Sequence, residues 1–171
     1  MGAGPIGLLT ASIARIAGAS RIFIADKVPH RLKMARELGF DCAVDIGRFQ
    51  QAVMDETGGR GVDIVFDAAA ALQTINMSMA IARLGGRVVL IGIPSETELN
   101  VDLHLAMSKE LNIQTVKRSN HNAHGAIELL ESGRIDEGIV THRLPLEKTP
   151  EGFELLAEYA GEVGKVVIEV A

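Results

Sequence analysis

The sequence predicts an α/β fold, a parallel sheet doubly wound with helices on both faces, and three observations predict it. Short β-type runs alternate with helix-period runs along the whole length, as parallel strands joined by helical crossovers require. The chain opens on the glycine turn Gly2-Ala3-Gly4-Pro5-Ile6-Gly7, which leads straight into the apolar, helix-period stretch Leu8 to Ala17. The next extended run, Arg21 to Asp26, ends in an acid that stands 19 residues after Gly7. A hydrophobic content of 47% is enough for one core, and 18 glycines suit the tight turns such a fold needs.

Taken in order, Pro29 sits at the first turn of a helix expected to run through Leu38, with Gly39 as its stop. Asp41 to Asp45 is a short strand, and Arg48 to Glu56 a helix closed by Gly58-Gly59. Gly61 to Asp67 is a strand whose apolar run fits burial on both faces. An alanine-rich helix to Leu84 follows. Gly85-Gly86 then turns the chain into Arg87 to Gly92, the most hydrophobic strand. Asp102 to Leu111 reads as helix, and Asn112 to Val116 as a strand with the polar tail Lys117-Arg118-Ser119-Asn120-His121. Gly125 to Ser132 is helical, Ile139 to Leu144 extended, Thr149 to Tyr159 helical, and Lys165 to Val170 a closing strand. Residues 1–135 form one unit on this reading, and 136–171 an appendage to it.

The opening turn carries the chemistry. In a G-x-G-x-x-G run the first glycine permits a tight bend, the second lets backbone approach a pyrophosphate, and the third lets the helix pack closely on a strand. Gly2, Gly4, Pro5, Ile6 and Gly7 are therefore phosphate-facing candidates, with amide groups and the positive end of the helix dipole supplying the attraction. An acid about 20 residues further on binds the adenosine ribose hydroxyls. Together these features make the chain a Rossmann-type dinucleotide binder. The Asp26 carboxylate would repel a 2′-phosphate by roughly 1–4 kcal/mol at a partly solvated site, which favours NAD over NADP. Lys27 and Arg31 oppose that preference, since either cation could neutralise an extra phosphate. Arg31 is also placed to lay its guanidinium over the adenine face. Ile91, Gly92 and Ile93 leave the carboxyl end of a strand, where open α/β sheets bind ligands, and are candidates to touch the nicotinamide.

A net charge of −5 with acids and bases interspersed leaves no basic face for nucleic acid or an anionic membrane. Small molecules are the expected partners. Met1 to Ser20 lacks the basic start of a signal peptide and is interrupted by Arg15, and a cytoplasmic protein is expected. The single cysteine, Cys42, allows no internal disulfide and reads as a small buried hydrophobe. His121 and His124 stand three apart without a carboxylate or cysteine in matching register, so no metal ligands are assigned.

These residues resemble the zinc-containing medium-chain dehydrogenases, the family of alcohol, sorbitol and threonine dehydrogenases. The similarity is carried by GAGPIGLL, the strand ending in Asp26, RLKMARELG, GRVVLIGIP, and VTHRLPLEK through GKVVIEV, in the family's order. It implies that Ile6, Asp26, Arg31, Ile91 to Ile93 and Lys117, Arg118 and Ser119 contact NAD. It also implies hydride transfer from a secondary alcohol or polyol, with zinc polarising the alcohol, in a homo-oligomer. The alternatives are a non-catalytic nucleotide-binding fragment and a zinc-free NADPH quinone or enoyl reductase of the same superfamily.

Two departures from that pattern shape the expectation. Family members hold zinc on a catalytic domain ahead of the nucleotide-binding one, and no comparable set of ligands occurs in this sequence, so no catalytic or metal residue is assigned. The glycine turn also normally follows the first, central strand of the sheet. Without that strand, Arg21 to Asp26 and Val62 to Asp67 face a gap. An upstream segment, a strand from a partner chain or self-insertion of Lys165 to Val170 would each close it.

Overall fold

A computed structural model describes residues 1–40, 42–119 and 121–170. Asp41, expected in a strand, and Asn120, expected in a polar tail, lie outside the described residues.

The chain runs α1 (Pro5–Ile16), β1 (Phe23–Asp26), α2 (Pro29–Glu37), β2 (Cys42–Asp45), α3 (Ile46–Glu56), β3 (Val62–Asp67), α4 (Leu72–Ile81) and β4 (Ala82–Leu90). It continues as α5 (Leu103–Ser108), β5 (Asn112–Thr115), α6 (Ala123–Glu131), β6 (Val140–Pro145), α7 (Thr149–Glu158) and β7 (Lys165–Glu169). Every pairing is parallel: β1 with β2, β3 with β4, β4 with β5, and β6 with β7. This is the α/β arrangement expected from the alternation of short apolar runs with helical ones.

The core forms in two layers because a strand sends successive side chains to opposite faces. Ile24 joins Leu8, Ala11, Leu32 and Ala35 from α1 and α2, whereas Ala25 joins Phe49, Val53, Ile75 and Met79 from α3 and α4. Both ends of α4 are fixed by polar contacts. At its end, the Lys109 ammonium donates to the carbonyls of Met79, Ala80 and Ala82, and burial lowers that amine below its usual range.

Several boundaries differ from the sequence reading. The alanine-rich helix stops at Ile81 rather than Leu84, and β4 begins at Ala82 rather than Arg87. Gly85-Gly86 lies inside that strand as an irregularity between the pairs Val62↔Ala82 and Ile64↔Arg87, so the glycine pair kinks a strand instead of starting one. The helix expected over Asp102 to Leu111 is shorter, with the Asp102 side chain capping the Leu105 amide. Self-insertion of the last strand does not occur. β7 pairs with β6, whose half-buried side chains alternate along the ladder.

Among the described residues no ladder joins β1 to β3. A groove of about 680 Å³ separates them, with α1 on one side and α3 on the other. Only its carboxyl end is closed. There the Met1 amine donates to the Phe66 carbonyl, the Ala68 amide donates to the Met1 carbonyl, and the Gly2 amide donates to the Ala25 carbonyl. Met1 and Gly2 thus hold β1 and β3 together at the edge from which the glycine turn departs. No described helix is long and apolar enough to cross a membrane.

Candidate nucleotide-binding site

The turn is built by excluding side chains. Gly2 has φ +87°, a conformation that L side chains rarely adopt. A Cβ on Gly7 would stand 1.8 Å from the Gly2 carbonyl oxygen, so the third glycine lets the helix close on the turn itself rather than on a strand. Gly4 is the extended N-cap of α1 and offers no side-chain cap, and Pro5 follows at the first helical position. The first intrahelical bond runs from the Leu8 amide to the Gly4 carbonyl at 3.0 Å. The amides of Ile6 and Gly7 consequently have no acceptor within the helix, and the dipole adds partial positive charge beside them. Such an end takes an anion.

Asp26 is tied to this turn directly. Its Oδ2 accepts from the Ala3 amide at 2.7 Å and its Oδ1 from the Val28 amide at 2.9 Å. The residue is only 7% exposed. Arg31 Nη1 stands 3.7 Å from the same carboxylate and also 3.7 Å from where a Cβ on Gly4 would be. Its guanidinium lies 4.7 Å from the centre of the Tyr159 ring, and its buried Nε has no hydrogen-bond partner. The structure therefore gathers Gly4, Asp26 and Arg31 into one corner.

A third wall comes from the ends of β3 and β4. The amides of Ile91 and Gly92 both donate to the Asp67 carbonyl, at 2.8 and 3.0 Å, so those two donors are already committed within the protein. Gly92 packs against the loop after β3, where a Cβ would come within 2.6 Å of the Ala70 methyl. Ile93 is 74% exposed and free to make apolar contact. Lys117, Arg118 and Ser119 follow β5 and are all exposed, with Arg118 at φ +58°. Because Leu90 pairs with Thr115, these residues leave the sheet at the same edge as Ile91 to Ile93.

Two residues of the site were not singled out by the sequence reading. Asp67 is fully buried and shapes the 68–71 loop by accepting from the Ala69 and Ala70 amides and from the Thr74 hydroxyl. Its place at a strand end, before four alanines, was the available signal. Tyr159, at the left-handed end of α7, reaches Arg31 from 128 positions away, and nothing local marks it. The segment around it docks on α2 through Lys33–Glu162 and through His30 against the Val163 carbonyl.

A parallel α/β sheet whose glycine turn and strand-terminal acid share one edge defines a nucleotide-binding domain. The model of the family described as zinc-binding dehydrogenase matches residues 5–132. The chain belongs to that family, as its NAD-binding portion. It is 33% identical to L-threonine 3-dehydrogenase of Bacillus subtilis (strain 168) over 174 residues, which covers 98% of this chain and 49% of that protein. Against the sorbitol dehydrogenase of the same organism it is 30% identical, covering 98% of this chain and 48% of the relative. Among solved structures, alcohol dehydrogenase TADH from Thermus sp. ATN1 superposes with a TM-score of 0.90 at 32% identity, over 99% of this chain and 51% of that one. The alcohol dehydrogenase rspB from E. coli CFT073, solved with the cofactor NADH, does so at 0.87 and 25% identity, over 98% and 50%. The chain spans about half the length of the curated relatives it matches.

Proposed function

We propose that this chain binds and orients NAD for a zinc-dependent dehydrogenase that takes a hydride from a secondary alcohol or polyol. The observation that carries the reading is the 2.7 Å bond from the Ala3 amide to Asp26, which links phosphate turn and ribose acid in one rigid unit. Ile6 and Gly7 donate their free amides to the diphosphate, Gly4 leaves room for it, and Asp26 accepts from the ribose hydroxyls. Arg31 lies over the adenosine end, and the exposed Ile93 with Lys117 and Arg118 lines the approach to the nicotinamide. When bound, NAD supplies the hydride acceptor. Among the described residues no three His, Cys, Asp or Glu side chains come together to hold a metal ion, so no step through zinc is assigned to this chain.

In this reading residues 1–135 are the nucleotide domain, and 136–171 connect it to a catalytic half. The groove between β1 and β3 is the place of a further parallel strand in the complete sheet. The exposed edge strand β5 supports a homo-oligomer.

Titration of the purified chain with NADH and NADPH, followed by nicotinamide fluorescence, tests the proposal. NADH is expected to bind at least about tenfold more tightly, equivalent to 1.4 kcal/mol. Equal affinity, or a preference for NADPH, would overturn the role of Asp26 and favour the zinc-free reductase, for which the Arg31 guanidinium standing 3.7 Å from Asp26 is the supporting observation.

A further inference from the structure

Arg31 is held by groups that do not satisfy it. It stands in the first turn of α2, where the helix dipole disfavours a cation. Its Nη1 comes no nearer than 3.7 Å to Asp26, longer than a charge-assisted hydrogen bond, and its buried Nε has no hydrogen-bond partner. The remaining contact is the Tyr159 ring, whose centre lies 4.7 Å from the guanidinium carbon, within reach of a cation–π pair.

The backbone puts Tyr159 there. It closes α7 at φ +53°, and Gly161 and Glu162 follow at +59° and +54°. Tyr159 and Glu162 carry side chains in a left-handed conformation, which persists where the surroundings hold it. Here the surroundings are α2. Glu162 pairs with Lys33 at 2.9 Å, the Val163 carbonyl meets His30, and Val163 itself is buried. A Cβ on Gly164 would stand 2.7 Å from Met34 Cε, so the turn lies tight against the helix. One end of the turn is thus anchored, while Tyr159 at the other is 45% exposed and rests its ring on Arg31.

We infer that the 159–164 turn is a strap that holds Arg31 across the adenosine corner of the free protein, with Tyr159 as the positioning residue, and that an entering dinucleotide competes with Tyr159 for the guanidinium. The guanidinium lies beside Asp26 Oδ2 and near Gly4, the places that the proposed function gives to ribose and diphosphate. Adenine offers a π face as the tyrosine ring does, so the exchange trades one stack for another and frees the acid. The strap lowers cofactor affinity by the strength of the Tyr159 contact and ties that affinity to the seating of the C-terminal segment on α2. The inference rests on the nucleotide-binding reading and adds to it a residue that acts through Arg31.

The chain has one tyrosine and no tryptophan, so tyrosine emission reports on this contact alone. The test titrates the chain with NADH and with ADP-ribose, which carries the adenosine end without the nicotinamide. Tyr159→Gly removes the ring and suits the left-handed turn; both ligands are expected to bind about two- to fivefold more tightly, the range of an exposed cation–π contact. Tyr159→Phe keeps the ring and should restore wild-type affinity. In an Arg31→Ala background, Tyr159→Gly should leave affinity unchanged. Saturating ADP-ribose should shift the tyrosine emission of the wild-type chain in the direction that Arg31→Ala shifts it without ligand, since both take the guanidinium off the ring. Unchanged or weaker binding by Tyr159→Gly, a gain that persists without Arg31, or an emission that ADP-ribose leaves unaltered overturns the inference while NADH binding by the wild-type chain keeps the nucleotide reading in place. A wild-type chain that binds no NADH overturns both.

Discussion

Replacing Asp26 with alanine removes more than a ribose acceptor. The carboxylate accepts the buried Ala3 amide and the partly buried Val28 amide. Hydrogen bonds to a charged group contribute about 1.5–3 kcal/mol each, and a buried amide left without an acceptor costs about 1–3 kcal/mol. Water can reach the Val28 amide once the side chain is gone, so the net loss is about 2–4 kcal/mol, a large share of the 5–15 kcal/mol typical of a domain. Asp26→Asn keeps one acceptor oxygen and should lose about half as much. Urea denaturation measures both, with the midpoint falling and the m-value unchanged. NADH affinity, measured without denaturant where the variants remain folded, should fall as well. If Asp26→Ala shifted stability by less than about 0.5 kcal/mol, the ordinary range for a surface change, the bond between turn and acid would not be the anchor described above.

Three further outcomes are expected. Gly7→Ala places a methyl 1.8 Å from the Gly2 carbonyl; the turn must open, at a cost of about 1–3 kcal/mol or more, and retention of full NADH affinity would contradict the packing role of Gly7. Lys109→Met leaves the carbonyls of Met79, Ala80 and Ala82 without their shared donor and should lower stability by about 1–2 kcal/mol, read from the urea midpoint; an unchanged midpoint argues against the cap. Burial, opposed by Asp67 and Asp26, holds the Met1 amine below its ordinary value of 8.0. The unfolded chain then binds more protons than the folded one between the two pKa values, so this amine makes stability rise with pH up to about 8 and level off above it. Comparing denaturation midpoints of the free and N-acetylated chain across that window isolates the effect, and a midpoint that falls as pH rises would refute it.

What could be read in the sequence was what is local. The glycine turn, the helix after it and the acid at position 26 are linked through adjacent elements, and their mutual placement follows once a strand and a crossover helix are assumed. The ends of α4 and β4 were misplaced because Gly85-Gly86 reads as a turn, whereas its surroundings make it a kink inside a paired strand. Asp67 looks like Asp63 four residues earlier, yet one is fully buried under three hydrogen bonds and the other is exposed between Arg60 and Arg83. Tyr159 reaches Arg31 only because the turn over 159–164 docks on α2, a contact between distant segments that no periodicity encodes.

The Asp26 corner also shows why one carboxylate can serve both structure and ligand. An ionised carboxylate offers about four acceptor sites, and the Ala3 and Val28 amides use two of them. The two that remain match the two hydroxyls of an adenosine ribose. Arg31 lies across this corner, near both the acid and Gly4 and against Tyr159, and in the proposed reading its guanidinium gives way to an entering nucleotide. A displaced Arg31 can rest on the adenine face in exchange for the Tyr159 ring, which keeps its stacking contact while freeing the acid. The carboxylate itself is held by backbone amides on both of its oxygens.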